Sequence, residues 1–336
     1  MANRFDEKYD IRLAEYAEIP DVMSFIDTHW KKGHILASNR EFFEYEMVVD
    51  GQVNFLIAKR HEDGSIDGVL GFLPCSRSTD KLDIWGVIWM TVPGSLPMLG
   101  MELKKRLMQT IGARCDLGTG ANPETSVPLL ARIYHYYTAK MKHYYRLADL
   151  DGYKIAVVNK KIIPPHSNEE AKIEKIENIG RLREFFDFSV MEDCVPYKDS
   201  WYYERRFFNH PLYEYDVWSI AFNDSRAFMV TRRQECNGSS IIRIVDYAGV
   251  QSLFGKTGAF LDKLLNENEY VDFYFDGFDE KYAREAGMIE TDDADNIIPN
   301  YFSPYSQENV DIYVDSSDNV SKCLFFKADG DQDRPS

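Results

Sequence analysis

Hydrophobic positions in the first half of the chain change period repeatedly, and each change marks a new element. Residues 9–13 alternate apolar and polar side chains as a strand does. Ile19, Val22, Met23, Phe25 and Ile26 then fall on or near one helical face. A polar and aromatic connection over 28–37 leads to a second helix, 40–47, which carries Phe42, Phe43 and Tyr45. Three strands follow at 53–58, 66–74 and 84–92. The first two are joined at the hairpin signal Asp63-Gly64, the next two across the charged turn 78–81. A loop over 93–100 opens a helix at 101–111. A short strand at 113–117, a turn at 118–123, a helix at 125–136 and a strand near Tyr144 complete the series. The order β-α-α-β-β-β-α-β-α-β predicts an α/β fold with a mixed sheet flanked by helices, not an all-parallel one.

Charge and two adjacent prolines, Pro164 and Pro165, set off 160–170 as a crossover. The plan then repeats in outline. A helix at 179–188 and an aromatic segment at 201–208 precede strands at 214–222, 226–232 and 241–247. A helix at 257–266, a strand at 271–275 and a helix at 280–286 follow, the last stopped by Gly287. Two diverged copies of one unit are expected, over 1–160 and 161–326. Residues 327–336, polar and without pattern, are expected to be a disordered tail.

Bulk properties narrow the function. With 336 residues, 44% of them apolar, the chain can bury two cores. No apolar run reaches the ~20 residues that span a bilayer, and residues 1–8 lack a secretory h-region, so a soluble cytoplasmic protein is expected. A formal charge of -16 argues against nucleic acid or an anionic membrane as partner. Five cysteines without a C-x-x-C pair fit a reducing compartment, and seven scattered histidines without helical i, i+4 spacing give no reason to expect a metal. Oligomeric state is not legible.

The strand-loop-helix passage 84–111 is an anion site in outline, because first-turn N–H groups and the positive helix end face the loop. Gly94 and Gly100 permit close backbone approach. The element order, this loop and the later helix resemble the GNAT acyltransferases. That resemblance implies an acyl-CoA donor, acetyl-CoA or a longer hydroxyacyl-CoA, lying along Met90 and Val92. It also implies coenzyme contacts with Gly94, Ser95, Leu99, Gly100, Met101, Asn122 and Tyr137. The loop lacks the basic residue usual in that family, leaving backbone N–H groups, Ser95 and Lys104 or Lys105 for the phosphates. Tyr136, by its spacing from Lys140-Met141, is the expected general acid for the leaving thiolate.

A narrower resemblance rests on two segments, His29-Trp30-Lys31-Lys32-Gly33-His34-Ile35-Leu36 and Asn296-Ile297-Ile298-Pro299-Asn300-Tyr301-Phe302-Ser303-Pro304-Tyr305. Both are similar to tandem-GNAT bacterial sugar N-acyltransferases, the group that acylates dTDP-4-amino-4,6-dideoxyglucose in D-anthrose biosynthesis. It implies a nucleotide-linked amino sugar as acceptor, held by Trp30, Lys31, Lys32 and Trp85, with Arg243, Tyr247, Asn300 and Tyr301 from the second copy. The proton shed by the attacking amine has three candidate takers: Asp83, His34 or the coenzyme A sulfur. Ala283 stands where the second copy would need its tyrosine, so that copy is expected to be catalytically degenerate. Two other readings share the tandem plan, an aminoacyl or peptidyl transferase and a non-catalytic ligand-binding tandem. The first usually needs a basic surface or a coiled-coil arm, and neither is evident here.

Overall fold

The computed structural model describes residues 4–318 and 323–335. The chain forms two compact units, Met1–Gly118 with Arg334–Ser336, and Thr119–Asp333.

In the first unit five strands lie in chain order: β1 (Tyr9–Leu13), β2 (Phe55–Arg60), β3 (Ile66–Pro74), β4 (Asp83–Thr91) and β5 (Cys115–Thr119). Neighbours from β1 to β4 are antiparallel, and β4 with β5 is parallel. Helices α1 (Ile19–Phe25) and α2 (Arg40–Met47) separate β1 from β2. The side chain of Asn39 caps α2 by accepting the Phe42 N–H at 2.9 Å. The 13-residue helix α3 (Leu99–Ile111) sets Leu99, Leu103 and Leu107 at i, i+4, i+8 against Tyr9, Leu56, Leu70, Phe72 and Ile84. Gly68 lets it come close, since a Cβ there would lie 3.0 Å from Leu103.

The second unit repeats the plan. Its strands include β6 (Tyr137–Lys140), β7 (Lys142–Leu147), β8 (Lys172–Ile176), β9 (Asp216–Phe222), β10 (Ser225–Cys236), β11 (Ser239–Gly249), β12 (Tyr270–Asp276), β13 (Ile289–Glu290), β14 (Tyr313–Ser316) and β15 (Phe325–Phe326). The main sheet runs β8-β9-β10-β11-β12-β7-β13, antiparallel from β8 to β11 and parallel between β11 and β12. Helices α4 (Ile179–Phe185), α5 (Gly258–Leu264) and α6 (Glu280–Glu285) fill the connections. Each unit is thus an antiparallel meander that ends in one parallel step, and the fold is the mixed α/β tandem expected.

Two expectations are corrected. The strand near Tyr144 does not close the first unit: β7 pairs with β12, from Leu147 opposite Tyr270 to Lys142 opposite Phe275. The division therefore falls at Gly118, ahead of the boundary expected at 160. Nor is the chain frayed from 327. Lys327, Ala328 and Asp329 are buried. Lys198 Nζ sits 2.7 Å from Asp246 and 2.5 Å from Asp329, and Thr119 Oγ1 donates to the Asp329 carbonyl at 2.7 Å. Asp333 pairs with Arg232 at 2.7 Å. Polar residues that meet buried counter-charges give no hydrophobic period, which is why the sequence pattern reads this stretch as loose.

Candidate functional site

The geometry of the first unit turns on a bulge in β4. Leu70 faces Trp89 but Gly71 faces Val87, so Ile88 is an extra residue, held at φ 47°. A β-branched side chain rarely adopts that backbone, and strain of this kind collects at functional positions. On its other edge β4 pairs with β5 only from Asp83 to Trp85, opposite Cys115 to Leu117. Within this unit no described strand pairs with that edge beyond Trp85. Residues 86–91 therefore offer a row of backbone donors and acceptors that an extended ligand can join as an added strand.

The open edge runs into a fixed turn. The Val92 N–H donates to the Asp67 carbonyl at 2.9 Å and the Ser95 N–H to the Val92 carbonyl at 3.2 Å. Tyr9 bridges the turn to the sheet, accepting the Leu96 N–H at 3.1 Å and donating to Asp67 at 2.9 Å. Gly94 is exposed at φ 87°, and Met98 at φ 73° turns the chain into α3. The indole N–H of Trp89 donates to the Gly100 carbonyl at 2.9 Å. A Cβ on residue 100 would lie 3.1 Å from that nitrogen, so glycine is what lets the helix start against the indole. The positive end of α3 thus stands at the end of the open edge, an arrangement that favours an anionic group.

The expected coenzyme residues of this unit fall along these features. Met90 and Val92 are half-buried at the end of β4, Ser95 and Met101 are half-buried, and Gly94 is exposed. Leu99 is a core residue and offers only its backbone. Lys104 is not a phosphate ligand. It is buried, 2.5 Å from Asp116, with its ammonium 5.3 Å from the Trp89 ring centre. Lys105 is exposed.

Of the acceptor and base residues, Trp30, Lys31 and Lys32 are exposed on one segment. Trp85 is fully buried, so it packs the core and presents no surface to a ligand. Asp83 is likewise buried and held by Arg114 through two bonds of 2.8 and 2.5 Å, which makes it a structural carboxylate. His34 is half-buried, and its Nδ1 accepts the Leu36 N–H at 3.2 Å. Burial and Lys31 push its pKa down, so the ring is neutral with its proton on Nε2. It presents a donor there, not a base.

The other expected residues belong to the second unit. Asn122 is exposed and caps a turn, its side chain accepting the Glu124 and Thr125 N–H groups at 2.9 and 3.1 Å. Tyr136 is half-buried, 5.5 Å from the Tyr134 ring. Tyr137 donates to Asp276 at 2.9 Å, and burial holds its pKa above the ordinary value. Tyr247 is a core residue whose hydroxyl donates to the Val250 carbonyl at 2.7 Å. Arg243 is buried and committed to Asp272 and to the Pro299 and Asn300 carbonyls. Neither can touch a ligand, so both acceptor assignments are withdrawn. Asn300 is buried and Tyr301 exposed.

The second unit also has a bulge, at Val245, where β10 shifts register between Val230 and Thr231. Here the edge beyond the parallel ladder is covered by the chain itself. Phe326 pairs with Phe275, and the Ala328 N–H donates to the Val245 carbonyl at 2.9 Å. The loop corresponding to 92–100 is packed as well. Phe254 is buried, and a Cβ on Gly258 would overlap His166. No motif signals this filling, which sets the second unit apart from the first.

No protein-family model matches the chain, and no curated protein does either. Solved structures do. A GCN5-related N-acetyltransferase from Anabaena variabilis superposes with a TM-score of 0.58 at 12% identity, over 91% of this chain and 72% of that one. The GCN5-related glucosamine N-acetyltransferase region of a fungal multi-domain GH3 β-N-acetylglucosaminidase gives 0.50 at 10% identity, over 92% of this chain and 38% of that one. At such identities the likeness establishes the fold: the chain carries the GNAT fold, and the match extends through both of its units.

Proposed function

We propose that the protein is an acyl-CoA-dependent N-acyltransferase whose acceptor is the amino group of a nucleotide-linked deoxysugar, dTDP-bound by the resemblance of its 29–36 and 296–305 segments. The observation that carries the donor half is the open β4 edge, which ends at a pinned turn and a positive helix terminus. A pantetheine arm pairs with such an edge as an added strand, and a pyrophosphate suits the helix end. The exposed Trp30, Lys31 and Lys32 supply an aromatic face and two cations, the chemistry that a base and a diphosphate require in an otherwise acidic chain.

The reaction is direct attack in a ternary complex. The neutral amine forms a bond to the thioester carbon, the C–S bond breaks, and the proton shed by nitrogen ends on the departing sulfur. Asp83 is occupied by Arg114 and His34 offers a donor, so the thiolate is the taker favoured by the geometry. Tyr136→Phe tests whether that tyrosine delivers the proton. No helix among the described residues is long and apolar enough to cross a membrane.

Thermal stabilisation by acetyl-CoA and longer acyl-CoAs, each with and without a dTDP-amino sugar, tests the reading by mass action. A rise with an acyl-CoA, enlarged by the sugar nucleotide and followed by thiol release, supports it. No rise with any coenzyme A ester overturns it and leaves a ligand-binding tandem.

A further inference from the structure

The segment 299–302 is clamped from below by buried groups of the second unit. Arg243 donates to the Asn300 carbonyl at 2.8 Å and to the Pro299 carbonyl at 3.1 Å, and Tyr270 donates to Pro299 at 3.2 Å. From this fixed backbone the Asn300 side chain projects into the interior. It is 3% exposed, and neither its amide nitrogen nor its carbonyl oxygen has a hydrogen-bond partner. A buried amide left unmade on both ends is costly, because its donor and acceptor have lost water and gained no partner.

Lys327 belongs to the same cluster and is equally incomplete. It is 3% exposed, and its ammonium donates to Gln332 Oε1 at 3.0 Å. No carboxylate among the described residues lies within ion-pair distance of it. Its ammonium lies 5.7 Å from the Tyr274 ring and 6.0 Å from that of Tyr301. The Arg243 guanidinium stands 5.8 Å from the same Tyr274 ring. The one carboxylate at the centre, Asp272, is already shared by Arg243 and by His143, whose Nε2 is 3.1 Å away. Asp333 and Asp331 also act on Lys327, but Asp333 is paired with Arg232 and neither makes an ion pair with the lysine. The cluster reaches the surface at Tyr301, which is 46% exposed.

We infer that Lys327 and Asn300 form an oxyanion subsite in the second unit, which takes a phosphate group of the nucleotide-linked acceptor with Tyr301 at its mouth. The lysine supplies charge and the asparagine a directed N–H, while its carbonyl accepts from a ligand hydroxyl. Burial and Arg243 pull the Lys327 pKa down to about 7, against the opposing pull of Asp333, Asp272 and Asp331. The inference deepens the acceptor side of the proposed function and rests on that reading. It does not depend on the donor.

The test is dTDP binding to the full chain at pH 6.5 by calorimetry, with thymidine as the phosphate-free control and no acyl-CoA present. Lys327→Met keeps the apolar stem and is expected to weaken dTDP at least tenfold while leaving thymidine unchanged. Lys327→Arg should restore part of the affinity, and Asn300→Ala should weaken dTDP severalfold. Equal dTDP affinity in wild type and Lys327→Met overturns the inference, as does absence of dTDP binding to wild type; the two side chains are then structural only. Acetyl-CoA stabilisation, measured on the same samples, separates the two readings. Its loss from wild type with Lys327-dependent dTDP binding intact removes the donor and spares the subsite. Its presence alongside an indifferent Lys327→Met does the reverse.

Discussion

The indole N–H of Trp89 donates to the carbonyl of Gly100 across 2.9 Å, tying the end of the bulged strand to the first turn of the helix that follows. Trp89→Phe keeps most of the ring and deletes the donor. A loss of about 1 kcal/mol of stability is expected, together with a severalfold weaker response to acetyl-CoA. Urea unfolding and the acyl-CoA thermal shift check the two parts separately. An unchanged shift would mean that the turn holds its shape without the indole.

Lys104 and Asp116 make a buried pair beside that indole, with side-chain exposures of 7% and 2%. Lys104→Met strands the carboxylate inside and should cost about 3–5 kcal/mol. Adding Asp116→Leu should recover most of that loss. Lys105→Met, on the exposed face of the same helix, should leave the unfolding free energy within about 0.5 kcal/mol of wild type.

Lys198 holds two buried carboxylates, Asp246 and Asp329, and with them the segment that covers the second bulge. Burial raises the pKa of both acids, to about 7 for Asp329. Lys198→Met should free that segment, and native-state exchange of the Ala328 amide should speed by orders of magnitude relative to the β11–β12 ladder. Equal protection in the two proteins would show that Phe325 and Phe326 alone hold it.

His210 should make the fold acid-sensitive. Its Nδ1 accepts the Leu212 and Tyr213 N–H groups at 3.2 and 2.9 Å. Burial, Arg206 and Arg232 push its pKa down to about 3 from an ordinary 6.5. The unfolded chain therefore takes up a proton that the folded chain refuses. The contribution is whole above pH 6.5 and is lost as pH falls toward 3. His210→Asn keeps an acceptor and removes the titration, so its stability should fall less steeply between pH 6.5 and 4. Matching slopes would place the acid sensitivity elsewhere.

Periodicity was enough to read the elements that bury one face. The helix expected at 40–47 and the strand at 66–74 match α2 and β3 residue for residue. It was not enough where partners are remote. Nothing local in 142–147 says that this strand pairs with 270–276, and nothing in Lys327-Ala328-Asp329 says that Lys198 waits for the aspartate. Site residues divide along the same line. The strand-turn-helix passage 92–101 is local and legible, whereas Trp85, Arg243 and Tyr247 are expected at a ligand only from the resemblance. Their strands turn them inward, and only the register shows that. Ile88 was missed altogether, because a bulge leaves no mark in a run of apolar residues that reads as a strand with or without it.

The covered edge in the second unit has a consequence for how the chain is made. Synthesis runs from the N-terminus, so the Val245 carbonyl, Lys198 and Thr119 all emerge well before the residues that satisfy them. Thr119 waits for a partner 210 positions downstream. Until 325–329 arrives, the second unit carries the same bare strand edge that the first keeps for good. A nascent chain therefore exposes the edge beside the parallel ladder in both units, and among the described residues the finished second unit has covered its own. The last contacts formed are the ones that decide which half of the tandem stays open.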